Sequence, residues 1–141
     1  MQLNMIATGI ELIGTTVKKL NIENEIIDIE KSGKRNFGLN INEPEFEKSN
    51  NKMYAQMVID FEIEIDQYEE RDCKIKMSLE GAFLAGEDVT EEVFRDLVAV
   101  NGAAALIGIA RGKIETISAT IFNNGKIVIP FVNVIDYYKS L

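Results

Sequence analysis

A chain of 141 residues, 46 % hydrophobic and 27 % charged, has the size and composition of one globular domain and can bury a core without staples. It has no histidine and one cysteine, which excludes a histidine triad or general base, the usual zinc sites, an intramolecular disulfide and a cysteine metal cluster. A formal charge of −8 and a pI near 4.6 argue against nucleic acid as a partner, because phosphate binding needs a basic surface, and favour solubility.

The opening stretch MQLNMIATGIELIG lacks the basic and continuous apolar regions of a signal peptide. The longest apolar run, around Ala103–Ala110, is too short to cross a bilayer. A cytoplasmic location without stable membrane insertion is therefore expected. Residues 14–23 are β-prone with imperfect alternation, which predicts a strand centred on Val17–Ile22 that starts before Gly14 and, with a break, runs on to Ile29. KSGKRN (31–36) reads as a loop by composition. Phe37, Leu39 and Ile41 alternate with Gly38, Asn40 and Asn42, the pattern of a short strand. The polar segment 43–52, with Pro44, reads as a loop.

Residues 54–66 and 73–79 alternate cleanly and predict a β-hairpin. Facing side chains lie on one side of a sheet, so paired numbers sum to an even value. If Asp66 faces Asp72, Glu64 faces Lys74 and Glu62 faces Lys76; a two-residue slip still leaves Glu64 facing Lys76. The acid row Asp60, Glu62, Glu64 and Asp66 then has basic neighbours on the same face. It reads as a solvated strand face ahead of a partner-docking face or a cation site. Cys73 reads as a small buried hydrophobe.

Asp88 or Thr90 is a good N-cap, with Glu91 and Glu92 in the first turn. Val93, Phe94, Leu97 and Val98 form the apolar face of a first helix, which Asn101-Gly102 is expected to break. A second helix is expected over 103–121. Its Ala104, Gly108 and Gly112 are spaced by four and imply close packing against a neighbour. Arg111 interrupts an apolar stretch and reads as a snorkelling arginine or a contact residue. Residues 126–131 (KIVIPF) read as a short extended segment with Pro130 near its end, and the tail as partly helical. Strands followed by helices indicate an α+β domain with an antiparallel sheet. No phosphate loop or calcium loop is present.

This ordered series resembles the SecB family of export chaperones. It comprises EGAFLAG (80–86), an acid- and Thr-capped helix, and a helix with Leu106, Ala110 and Arg111. Ile127, Ile129 and Pro130, then Val132-Asn133 and an aromatic tail complete it. VKKLNIE (17–23), NFGLNIN (36–42) and the hairpin fit the family's earlier strands. The resemblance implies an α+β fold, a four-stranded antiparallel sheet with two C-terminal helices packed on one side. It implies a homo-oligomer, a dimer of dimers, that binds unfolded or precursor polypeptides in apolar grooves without ATP and hands them to SecA. Phe37, Leu39, Ile41, Tyr137 and Tyr138 are the implied groove residues. Cys73, Ile75, Met77, Phe94 and Leu97 are the implied assembly residues. No cofactor, metal or catalytic residue is implied. Among the positions where the family carries acids for SecA, Glu23 is acidic here but Lys19 and Lys76 are basic. A SecB-like chaperone of a toxin–antitoxin pair, another dedicated partner-binding protein, and a hotdog-type enzyme using Glu91 or Glu92 are the alternatives.

Overall fold

The computed structural model describes residues 9–67 and 71–141. Its strands are β1 (Ile10–Asn24), β2 (Lys34–Ile41), β3 (Glu45–Ser49), β4 (Lys52–Asp66) and β5 (Asp72–Ala85). Its helices are α1 (Glu91–Leu97), α2 (Ala103–Ile121) and α3 (Val134–Lys139), and a π-helical turn, Val98–Gly102, joins α1 to α2. The antiparallel sheet has the order β1-β5-β4-β2, and β3 pairs with β4 beyond the end of β2. The α+β architecture is as expected, with five strands rather than four.

The fifth strand is β3, in the polar segment read as a loop. Asn50 and Asn51 both have positive φ, 52° and 62°. That conformation closes a two-residue hairpin and suits asparagine. Pro44 only separates β2 from β3.

Of the two allowed hairpin registers the chain takes the first, in which Asp66 faces Asp72, Glu64 faces Lys74 and Glu62 faces Lys76, and β5 runs six residues beyond the expected end at Leu79. Lys76 Nζ lies 3.2 Å from Glu62 Oε1, while Lys74 pairs with Asp72 at 3.8 Å. These ion pairs are exposed and add little stability. The opposite face carries the core: Met57, Ile59, Phe61, Ile63 and Ile65 of β4 and Cys73, Ile75, Met77 and Leu79 of β5 are all buried. The imperfect alternation of β1 has a cause in two register shifts, between Leu12 and Gly14 and between Val17 and Lys19. Each extra residue moves the inward-facing set by one, from Leu12 to Val17 to Leu20.

Asn101-Gly102 does not break the helix. Gly102 has right-handed backbone angles, φ −62° and ψ −48°. A Cβ on it would lie 3.1 Å from the ring of Phe83. This glycine permits close packing rather than a stop. The continuous rod, Glu91–Ile121, is 31 residues long and reaches the length and apolarity of a membrane span, which reading it as two helices did not foresee. Its buried stripe of Leu106, Ala110, Ile114 and Ser118 packs on β4 and β5. The contact is reciprocal: Phe83 of β5 sits on Gly102, and Leu106 sits on Gly81, where a Cβ would come within 2.4 Å of Cδ2. Gly108 and Gly112 face outward with nothing within 4 Å of a Cβ position. The close neighbour expected of this small-residue row is not in the described part of the chain.

Residues 126–131 join no ladder, although Ile127 and Ile129 are buried and Val128 is exposed. Side chains of α2 hold this segment instead. Buried Ser118 accepts from Ile127 N at 2.8 Å and donates to Glu115 O at 2.9 Å. Arg111 Nε donates to Ile129 O at 3.0 Å, and its guanidinium lies 4.3 Å from the centre of the Phe131 ring. Arg111 is thus a tie between helix and loop. Ser118→Ala removes the side-chain acceptor of the Ile127 N–H at a buried position. The expected cost is about 1–3 kcal/mol, read as a lower urea midpoint with an unchanged m-value.

Candidate functional site: the open edge of β2 and the tyrosine pair

β2 is an edge strand, and its backbone alternates between its partner and the outside. Asn42 N donates to Val58 O on the β4 side at 3.0 Å. Ile41 N instead donates to the hydroxyl of Tyr137 at 2.9 Å. Strand alternation therefore turns the N–H and C=O of Phe37 and Leu39 away from β4. Among the described residues, no hydrogen bond closes them on that side. Such an edge is a template for another strand.

Side chains grade along this edge. Phe37, opposite Ile63, is 36 % exposed; Leu39, opposite Phe61, is half-buried; Ile41, opposite Ile59, is buried. All three project to the inner face of the sheet. The edge is bounded at one end by Arg35, whose guanidinium donates to Gly33 O at 2.7 Å and Glu30 O at 2.9 Å. It is bounded at the other by Tyr137. The open register is thus short, apolar and unpaired.

α3 positions the tyrosines. Asn133 caps it by accepting from Asp136 N at 3.1 Å. The Tyr137 and Tyr138 rings meet edge to face, 5.5 Å between centres. Tyr138 donates to Ala99 O at 2.8 Å, within the π-helical turn. Burial, then the neighbouring Tyr137, raises its pKa above the usual tyrosine value, so it stays a neutral donor. The structure thus brings Ile41 and Tyr137 into direct contact and turns Tyr138 to the helix. Sequence reasoning missed Ala99 and the π turn, which places its carbonyl, because π turns have no signature in residue type.

The outer face braces β2 from below. Asp60 accepts from the hydroxyl of Ser78 and, at 2.8 Å, from Asn42 Nδ2, which also donates to Val58 O at 2.9 Å. Asn40 Nδ2 donates to Asn42 Oδ1 at 3.0 Å. Burial acts to raise the Asp60 pKa, but hydrogen bonds from Ser78, Asn42 and Asn40 and the charge of Lys19 together hold it below the usual value. A carboxyl depressed on folding contributes stability above its unfolded value, about 3.9, and that share is lost as pH falls through the folded value. Asp60→Asn is therefore expected to be less stable than the parent at pH 7, with the difference closing below about pH 4. Urea midpoints across pH 7 to pH 2 check this.

Four of the five implied assembly residues pack inside the single chain. Cys73, Ile75, Met77 and Phe94 are each 1 % exposed within the single chain, so they belong to its own core. Leu97 is half-buried. Phe94 is covered by Phe46 of β3, ring centres 5.8 Å apart, with Arg95 stacked on Phe46 at 4.2 Å. Burial pushes the Cys73 thiol up to about 11, with Asp72 adding to the shift. The open residues are the β1 partners of Met77 and Ile75: Leu20 is 45 % exposed and Ile22 36 %.

No chemistry gathers around the acids singled out earlier. Glu91 is exposed and held by Lys48 at 2.9 Å and Arg95 at 3.3 Å; the Lys48 hydrogen bond, then that of Arg95, lowers its pKa. Glu92 is exposed. Glu64, Asp66 and Asp72 bring oxygens within 4.8 Å of one another at the sheet's end, an acidic cluster at the surface without a further feature that marks a metal site. The wide hollow on the outer face, about 530 Å³, is lined by Lys19, Asp60, Glu62 and Lys76 over Gly38. Its charges are of both signs.

No protein-family model matches the chain, and no curated protein matches it. Among solved structures it is similar to the Mycobacterium tuberculosis SecB-like chaperone Rv1957 in complex with a ChAD peptide from the Rv1956 HigA1 antitoxin. The TM-score is 0.59 at 10 % sequence identity, over 91 % of this chain and 94 % of that one. The chain thus has the SecB-like fold.

Proposed function

We propose that this chain is an ATP-independent chaperone that holds an unfolded polypeptide in extended form against the open edge of β2. One observation carries the reading: Phe37 and Leu39 combine apolar side chains on the inner face with backbone N–H and C=O groups that no described residue pairs. Main-chain pairing supplies affinity for any sequence, and apolar contacts add to it without demanding a fixed shape. A binder of this kind needs no nucleotide, metal or catalytic base. An acidic surface of formal charge −8 keeps the loaded complex soluble.

The structural likeness supports a dedicated client over general export. The similar structure holds a peptide from an antitoxin, so a toxin–antitoxin partner is the preferred client class. Delivery to SecA is the less supported branch. The outward row that would dock it carries Lys19 opposite Ser78 and Lys76 opposite Glu62, beside a single matching acid, Glu23. In this reading the protein works in the cytoplasm as a homo-oligomer, and exposed Leu20 and Ile22 on β1 are its assembly surface.

Light scattering for mass, combined with an aggregation assay on a chemically unfolded substrate without ATP, tests the reading. The expected result is an oligomer that suppresses aggregation at stoichiometric amounts. A folded monomer with no effect on aggregation sinks it. Leu20→Lys/Ile22→Lys is expected to lower the mass without loss of helical signal.

A further inference from the structure

The hydrogen bond between Ile41 and Tyr137 lies at the end of the very edge that the proposed function uses. Ile41 N–H has the same outward phase as those of Phe37 and Leu39, yet a side chain occupies it, at 2.9 Å. The same hydroxyl lies 3.5 Å from Asn40 Oδ1, so it has an acceptor for its own proton. The residue comes from α3, a helix spanning Val134–Lys139. The described hydrogen bonds that tie α3 to the rest of the chain are those of Tyr137 and of Tyr138 to Ala99. Tyr138 stays with the rod, whereas Tyr137 bridges to the strand. The bridge is thus separable from the anchor.

We propose that Tyr137 is a reversible stop on the edge of β2, which sets the register in which an extended polypeptide pairs with this chain. With the stop in place, a client strand pairs with Phe37 and Leu39 and ends before Ile41. With it withdrawn, the client's carbonyl takes the Ile41 N–H and pairing runs on to the end of β2. Tyr137 and the client compete for one donor, so the stop limits affinity while it shields the edge from unwanted strand pairing. The inference rests on the peptide-binding reading and adds to it which groups pair and where pairing ends.

The test uses the full chain and a fluorescently labelled, reduced and carboxymethylated protein, permanently unfolded, as the client. Tyr137→Phe keeps the ring and removes the hydroxyl. The expected result is an Ile41 amide that exchanges faster in the free variant and a client that binds about 2–10-fold tighter, the span set by one neutral hydrogen bond. Equal or weaker binding by the variant overturns the stop while leaving the peptide-binding reading intact. A parent chain that does not bind the client overturns both. A second measurement needs no variant: added client is expected to slow amide exchange at Phe37 and Leu39 in the parent chain. Bound client that leaves those two amides unprotected also overturns the inference.

Discussion

Replacing Leu106 by alanine lowers the unfolding free energy by about 2–5 kcal/mol, the range for deleting a fully buried leucine side chain. Leu106 is 0 % exposed and fills the space over Gly81. Its loss leaves a cavity between α2 and β5 where the helix approaches the sheet most closely. The reverse substitution is informative. Gly81→Ala places a methyl group within 2.4 Å of Leu106 Cδ2 and is expected to cost about 1–3 kcal/mol through overpacking. In the Leu106→Ala background that methyl group enters a hole. There it is expected to be neutral or stabilising, because alanine also loses less backbone entropy than glycine in a strand. The cycle should therefore be strongly non-additive, as read from urea unfolding of the four proteins. Additive costs would mean that helix and strand do not interlock here.

That interlock shows what was legible in the sequence and what was not. The Gly81-Ala82-Phe83 pattern was recognisable as a motif, but its meaning is spatial: Gly81 receives Leu106, and Phe83 rests on Gly102. A glycine inside a helical pattern signals either a stop or a close neighbour, and local sequence does not distinguish them. Gly102 was read as a stop because Asn precedes it, whereas the ring of Phe83 decides the matter from nineteen positions away, across the 86–90 loop and α1. The 54–79 hairpin was legible down to registers two residues apart, because side-chain parity and charge pairing constrain it together, but the run of β5 on to Ala85 was not. β3 was not, because Glu45, Glu47 and Lys48 give a polar surface to a strand that buries little beyond Phe46. Ser118 could have been noticed: it continues the buried i, i+4 stripe from Ala110 through Ile114, where a hydroxyl needs a partner. Alternation made the strand of Phe37, Leu39 and Ile41 readable, whereas a groove shared by these residues with Tyr137 and Tyr138 was implied only by the resemblance. The contact of Tyr137 with Ile41 spans ninety-six positions, and no local pattern announces it.

Converting Phe37 and Leu39 together to aspartate is expected to abolish client binding without unfolding the chain. Phe37 is 36 % exposed and Leu39 is half-buried on an edge strand. The folded state therefore loses little, and neither replacement interrupts the ladder from β2 to β4. For a client the loss is larger. Each apolar side chain contributes about 1.5–3 kcal/mol when fully covered, and covering a carboxylate instead carries a desolvation cost. Together this predicts a fall in affinity of at least about 100-fold. The backbone N–H and C=O groups remain in the variant, so the experiment separates side-chain recognition from main-chain pairing. Circular dichroism and light scattering establish that the variant is folded and assembled, and the aggregation assay then reads function. If a folded, assembled variant suppresses aggregation as well as the parent, the client lies elsewhere.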